Sequence, residues 1–487
     1  MTVHGRMPTA QFIEGRGLQI GILVAFAVPV FILVAGILLR DTMYVSKNYN
    51  EGWNAFHAAS LFSGENLYFP SSATVTNNYP PLSFVIIAGI MHFIPDAVFA
   101  GRIVATLSFV GTAIAIGSIS YLLNHDVVAA FTGSLLFVAS IAVNHNYIVG
   151  SDDPQMLAHA LILLGLYLCI RFATTDKSRI LAALLMCLGL FTKHSVIALP
   201  ATLAIWFFLY DRNAFFWFTG CSALIAIGGL FGSWLTFGSD FITGLIAPRR
   251  FLPVEGYRSL LQWLPPMTPL LMLSVLPPLV AGRNLWSAFF VIYVVISVIV
   301  GCIEALGSGV GPNAIYDVVI ACALATSYVI GRLSAARSYR IQRFRFWIIC
   351  TCLLSAVFNS NLVGAKDAIF AMPSWIMAQR TEEFRMQKVV AMVASAPGPA
   401  LCETPILCYW AGKRFEVDPF NFMEGVAAGI KNEDSVLERL RSGYYEIVQV
   451  FSPDTTSHFS PRFFSVLRSH YAPVASPLNS VELFVPR

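Results

Sequence analysis

The sequence predicts a polytopic α-helical membrane protein of about eleven transmembrane helices, carrying a small C-terminal α/β soluble domain. Three observations lead there. Hydrophobic residues make up 56% of the 487 and charged residues only 12%, with a mean hydropathy of +0.68; a soluble chain carries about 25% charged residues. Apolar runs of spanning length recur along the first three quarters of the chain. Of the 31 basic and 27 acidic residues together, 25 fall after residue 363. The expected division is therefore a membrane-embedded body over 1–363, whose first outer loop 41–96 holds juxtamembrane helices, and a soluble extracytoplasmic α/β domain over 364–487.

The runs that qualify are 19–39, 97–123, 127–148, 155–171, 195–210, 214–237, 264–281, 285–304, 312–331 and 346–362, with a shorter one at 179–192. Each is expected as one crossing helix, since about 20 apolar residues span the hydrocarbon core. The first is too long for a signal-peptide core and lacks a small-residue cleavage site after it, so it reads as a retained span. The run 82–95 is short and bounded by Pro80, Pro81 and Pro95, and reads as an interfacial or re-entrant helix. Basic residues test the count. With Arg6 and Arg16 in the cytoplasm, alternation puts Arg171, Lys177, Arg179, Arg212, Arg283 and the cluster Arg332, Arg337, Arg340, Arg343 and Arg345 on the same side. A crossing at 82–95 would move that cluster outside. The exceptional pair Arg249 and Arg250 falls on the outer face with the C-terminal domain and with Asp41, Glu51, Asp152 and Asp153.

Function is sought on that outer face. In the first loop Asn50 and Glu51 open an amphipathic stretch whose Trp53, Phe56 and Ala59 are expected to face the membrane, and the loop ends at Asn77-Asn78-Tyr79-Pro80-Pro81. The second loop offers Asp152 and Asp153 ahead of Pro154, positions that equally suit ordinary helix caps. The third holds Lys193 and His194, and a lone lysine there is often a snorkelling anchor. The fourth brings Arg249 and Arg250, and the fifth a glycine-rich passage with Asn313 and Asp317. Carboxylates take protons from hydroxyls or hold divalent cations, and arginine and lysine suit phosphate. The set describes transfer from a phosphate-linked lipid donor, with its tail in the bilayer and its phosphate at the surface. Asp41, His57, Tyr79 and Asn313 are the candidate substrate contacts, and Asp152 with Asp153 the candidate ligands of a divalent cation, Mg or Mn. No nucleic-acid partner is expected. The nine cysteines form no CxxC pair; seven lie in apolar runs, and Cys402 and Cys408 can pair if the C-terminal domain is extracytoplasmic.

The order of these residues resembles the GT-C superfamily of membrane glycosyltransferases that use polyprenyl-phosphate sugars. It is most similar to the branch of protein mannosyltransferases, the lipid A aminoarabinose transferase and the rhizobial lipopolysaccharide glycosyltransferases. The matching passages are Asn50-Glu51 followed by GWNAFHA, then Gly64, Leu67, Tyr68, Pro80, Pro81 and Leu82, then Asp153-Pro154, Thr192-Lys193 and the tail phrase CETPILCYWAGKRFEVDPFNF. The resemblance implies an inverting transfer in which a first-loop acid deprotonates a glycan, lipid or protein acceptor. The usual Asp-Glu pair falls on Asn50-Glu51, so the base role goes first to Glu51, with Asp41 or a second-loop Asp as the others. Asp153 matches the acid that positions acceptor or metal, and Lys193 a lysine near the donor phosphate; Arg249 and Arg250 join it by placement, and metal dependence stays open. The expected location is a bacterial cytoplasmic membrane. A transporter or lipid flippase is the rival, but the halves show no internal repeat and most acids sit at loop edges. A scaffold without activity leaves the acid, lysine and arginine loops unexplained.

Overall fold

The computed structural model describes residues 9–173, 175–282, 284–336, 338–357, 362–452 and 457–487; Arg6, Arg283 and Arg337 lie outside the described residues. The body opens with α1 (Thr9–Asp41), followed by two short helices of the first connection, α2 (Tyr49–Phe62) and α3 (Leu82–Met91). Then come α4 (Ala97–Asn124), α5 (Val127–Asn144), α6 (Gln155–Arg171), α7 (Asp176–Thr192), α8 (Ala198–Tyr210) and α9 (Arg212–Phe237). The segment after it folds as α10 (Ser239–Leu245), α11 (Pro253–Trp263), α12 (Thr268–Ser274) and α13 (Pro277–Val280), and the body closes with α14 (Leu285–Ala305), α15 (Tyr316–Ser334) and α16 (Tyr339–Val357).

Asx side chains set several helix starts by taking amide protons the first turn leaves unpaired. Asp96 caps α4 at the Val98 and Phe99 amides, Asp211 caps α9 at Ala214, and Asn284 caps α14 at Ser287. Among the described residues seven helical segments are long and apolar enough to cross a membrane: those over Arg16–Asp41, Ala97–Asn124, Val127–Asn144, Arg212–Phe237, Pro253–Val280, Leu285–Ala305 and Pro312–Ser334. The fold is polytopic and helical, as the apolar runs predict.

Two runs differ from expectation. The run 264–281 is not one helix: Pro265, Pro266, Pro269, Pro277 and Pro278 divide it into a 3₁₀ turn, α12 and α13, because proline lacks the amide and clashes with the preceding turn. The run 346–362 starts seven residues early, at Tyr339, and reaches 357 among the described residues. Arg345 consequently lies inside α16 rather than in a connection; its guanidinium is buried on Asp126 at 2.7 Å, Gln19 at 3.0 Å and the Ile330 carbonyl at 3.0 Å. The 10-residue α3 rises about 15 Å, half of what a crossing needs.

After the body, α17 (Leu362–Phe370) and α18 (Met372–Ser395) lead into a four-stranded sheet of β1 (Ala400–Cys402), β2 (Ile447–Phe451), β3 (Tyr471–Val474) and β4 (Val481–Pro486) in the order β1-β2-β4-β3. Between the strands lie α19 (Pro405–Trp410), α20 (Pro419–Ala427), α21 (Asp434–Arg441) and α22 (Pro461–His470). β1 and β2 run parallel and the other pairs antiparallel. Alternate strand residues serve two cores. Leu401, Val448, Val450 and Phe484 pack on α20–α22, whereas Ala400, Cys402, Ile447 and Leu483 pack on Met386, Val389 and Val393 of α18 and on Phe56 of α2. Trp53 and Phe56 therefore face protein, not lipid: Trp53 meets Tyr79 and Phe84, and Phe56 stacks on Phe415 at 4.6 Å. Gly52 makes that docking possible, since a Cβ there would overlap the Ile406 backbone of α19.

Candidate active site

One end of the body gathers the connections α1–α4, α5–α6, α7–α8, the stretch after α9 and the α14–α15 turn, and the C-terminal unit covers it. Between them lies a cavity of about 610 Å³. Asp153, Lys193, His194, Arg249, Arg250 and Glu304 bring its charge.

Asp153 stands just before α6, where its Oδ1 accepts from the Gln155 amide at 2.8 Å and so caps the helix. The same oxygen accepts from Lys193 Nζ at 3.0 Å, and Oδ2 from Asn50 Nδ2 at 3.3 Å. Cap and site residue are thus one. Lys193, at the end of α7, is 5% exposed. Burial works against its ammonium, but Asp153 outweighs this and holds its pKa above the usual lysine value. The Tyr79 ring lies 5.1 Å from Nζ, and Asn313, with its amide oxygen turned to the lysine, accepts from it at 3.0 Å while donating to the Gly311 carbonyl. His194 sits exposed on the wall, its pKa lowered by burial and then by the neighbouring Lys193 and Arg249.

The two arginines diverge. Arg250 is committed, giving Glu424 of α20 a fork at 2.9 and 2.6 Å and its backbone amide at 3.0 Å. Arg249 donates only to the Ser308 carbonyl at 3.1 Å, lies over the Phe420 ring at 5.1 Å, and meets no carboxylate among the described residues. It keeps most of its donors for a ligand.

Four expected site residues do not line the cavity. Glu51 is 0% exposed and forked onto Arg102 at 2.8 and 2.9 Å, with the Lys47 amide at 2.9 Å as a further donor. Burial alone would raise its pKa; the Arg102 pair reverses that and leaves it below the usual value. Every Arg102 proton is also used, the remainder going to the carbonyls of Asp41, Met43 and Val45. Asp41 is paired with Lys47 beside this knot. Asp152 is 1% exposed and packs so tightly on Gly101 that a Cβ there would overlap its carboxyl. Burial, then Glu51 and Asp153, push its pKa well above the usual carboxylate value. His57 is wedged against Trp53 at 4.3 Å, and burial pulls its pKa down to about 3. The expected cation pair is accordingly split: Asp152 turns inward to Gly101 and Asp153 outward to Lys193. Among the described residues no three His, Cys, Asp or Glu side chains converge.

The cavity's far wall was not anticipated as a site. Tyr49, Phe420, Asn421 and His458 form it. The phrase EVDPFNF carried a signal, but nothing local in it shows that residues 418–421 meet residue 49 across the whole chain. Asp418 makes that join, accepting from Tyr49 OH at 2.7 Å and Trp53 Nε1 at 2.9 Å. Cys402 and Cys408 are joined in a disulfide.

The geometry defines a class: a polytopic helical membrane protein whose charged cavity is roofed by a C-terminal α/β unit. ArnT from Cupriavidus metallidurans bound to undecaprenyl phosphate has this fold, superposing with a TM-score of 0.62 at 14% identity over 95% of this chain and 98% of its own. Its apo state matches with a TM-score of 0.62 at 11% identity over 95% and 97%. The apo oligosaccharyltransferase of Archaeoglobus fulgidus matches with a TM-score of 0.49 at 10% identity over 89% and 69%. No family model and no curated protein matches the sequence.

Proposed function

We propose that this chain is an integral membrane glycosyltransferase that moves a sugar from a polyprenyl-phosphate donor to an acceptor at the outer face of a bacterial cytoplasmic membrane. The observation that carries the proposal is the cavity itself: the carboxylate of Asp153 beside the cations Lys193 and Arg249, within a fold shared with a transferase solved on undecaprenyl phosphate. Asp153 replaces Glu51 as the base, because a base needs a free lone pair in reach of substrate and Glu51 has neither. In the proposed step an acceptor hydroxyl attacks the anomeric carbon from the face opposite the phosphate. Its proton passes to Asp153 Oδ2, the carbon–oxygen bond to phosphate breaks, and the electron pair leaves with polyprenyl phosphate. Lys193 and Arg249 stabilise the charge that gathers there. The anomeric centre inverts.

The orientation, with N-terminus cytoplasmic and C-terminal unit outside, is supported by the Cys402–Cys408 disulfide, which suits an oxidising compartment. Segregation of the polar ends also supports it: Arg16, Asp126 and Arg345 cluster at the end away from the cavity.

The test is release of polyprenyl phosphate by purified protein given a panel of polyprenyl-phosphate sugars and a membrane-extract acceptor. The proposal expects release with one donor and its loss in Asp153→Asn, while Glu304→Gln, the other carboxylate on the wall, stays within about tenfold. Uptake or flipping of the donor in liposomes with no transfer would move the reading to a transporter.

A further inference from the structure

The cavity has two unlike walls. The wall of the body is ionic, and that chemistry is spent on the donor phosphate and the proton. The stretch of lining formed by Tyr49, Phe420, Asn421 and His458 is aromatic and amide. There the His458 ring meets Tyr49 at 5.2 Å and Phe420 at 5.4 Å, and Tyr49 meets Phe420 at 6.4 Å, all three edge to face. Asn421 lies beside them, and among the described residues no group hydrogen-bonds to the His458 ring nitrogens.

This wall is held from behind at a cost. Asp418 and Glu403 are each 0% exposed, and burying two carboxylates is unfavourable unless every lone pair is used. Asp418 accepts from Tyr49 OH, Trp53 Nε1, and the Asn421 amide at 3.1 Å and side chain at 2.8 Å. Glu403 accepts from Ser457 Oγ at 2.6 Å, the His458 amide at 2.5 Å and the Phe451 amide at 2.8 Å. Both carboxylates thus fix wall residues and reach no substrate themselves. Such support is what a preorganised recognition surface needs and what a mere cover does not. From the other side, Phe420 fills the space at Gly309, whose φ of 70° and missing Cβ let the ring settle there.

Aromatic rings beside an imidazole and an amide match a pyranose, which offers an apolar C–H face and a rim of hydroxyls. None of these four side chains is an acid, a lysine or an arginine; the nearest cation, Arg249 over the Phe420 ring at 5.1 Å, marks where the wall meets the donor phosphate. We infer that Tyr49, Phe420, Asn421 and His458 form the subsite for the acceptor's sugar ring, so that the acceptor is a glycan or glycolipid and the C-terminal unit presents it to Asp153. The inference rests on the transferase reading above.

The test uses the full chain in nanodiscs and saturation-transfer NMR with methyl pyranosides of glucose, galactose, mannose and rhamnose. Ring protons of at least one glycoside saturate in the wild type, and His458→Ala and Asn421→Ala weaken that binding by about three- to tenfold while Lys193→Ala leaves it unchanged. Undecaprenyl phosphate binding, read by thermal shift, shows the reverse pattern. In turnover, His458→Ala raises the KM for membrane-extract acceptor and not for donor. Two variants on separate segments guard against one that fails to fold. The subsite is overturned if no glycoside saturates although undecaprenyl phosphate binds, if both variants saturate like the wild type, or if the donor KM rises instead. Glycoside binding that is lost in the variants, in a protein that binds no undecaprenyl phosphate, would leave the subsite standing and sink the transferase reading.

Discussion

Two knots of charge lie side by side at the cavity end of the body, and they have opposite characters. In one, Glu51 with Arg102 and Asp41 with Lys47 form two ion pairs sealed from solvent, and the Asp152 carboxyl is packed beside them. In the other, Asp153, Lys193, His194 and Arg249 open onto a cavity of about 610 Å³. The boundary runs between adjacent residues, for the Asp152 carboxyl turns in and the Asp153 carboxylate turns out. The contrast shows that an acid's place in a motif does not fix its job. Burial and partners decide whether it holds the fold or meets a substrate, and each can be broken separately.

The largest effect is expected at Asp153. Asp153→Asn keeps the helix cap, since an asparagine oxygen also accepts from the Gln155 amide, but removes the proton acceptor. Transfer per folded molecule should fall by about 10²- to 10⁴-fold, with a smaller loss of melting temperature than Glu51→Gln because Lys193 keeps the Asn313 amide oxygen as a partner. Measured turnover within tenfold of wild type would return the base role to another group.

Glu51→Gln should do the converse. It strands Arg102 in a sealed site, and removing one partner of a buried pair costs about 3–5 kcal/mol. A marked fall in melting temperature and yield is expected, with residual activity in proportion to folded protein. A fully stable but inactive Glu51→Gln would restore Glu51 to catalysis and overturn the distinction between the two knots.

Much of this fold is legible in the sequence, and the reason is local. Each apolar run holds helix because its residues have no better partner in lipid than their own backbone. The proline bounds of 82–95 mark a helix too short to cross. What escapes reading is non-local. Glu51 looks like a loop acid until Arg102, 51 residues on, closes over it, and α2 looks amphipathic because its apolar face waits for α19 rather than for lipid. His458 reaches the cavity only because Glu403 holds its amide from 55 residues away. The prolines of 264–281 are the exception, a local signal whose meaning was plain once spacing rather than hydropathy is read.

A third prediction separates the arginines. Arg249→Ala removes a cation with free donors and should raise the donor KM by about tenfold while kcat changes less, as expected for a charge-assisted contact to phosphate. Arg250→Ala should act through stability, since it frees Glu424 and loosens the join between body and C-terminal unit. Equal effects of both on donor KM would mean that the Arg250–Glu424 fork opens to bind substrate.

The smallest effect, and the sharpest on the boundary, belongs to Asp152. Its carboxyl is sealed from the cavity and its pKa is raised by burial, so Asp152→Asn should keep activity within about threefold. Its pH signature is distinctive. A carboxyl whose folded pKa lies above its unfolded value binds more protons when folded, so its contribution to stability falls as pH rises from the ordinary carboxylate range towards the raised pKa. Asparagine has nothing to release. Melting temperatures compared between about pH 5 and pH 8 should therefore drop more in the wild type than in Asp152→Asn, leaving the variant the more stable at the higher pH. A variant that loses both activity and stability across that range would mean that Asp152 carries a charge in the folded protein, and the wall between the two knots would have to be drawn elsewhere.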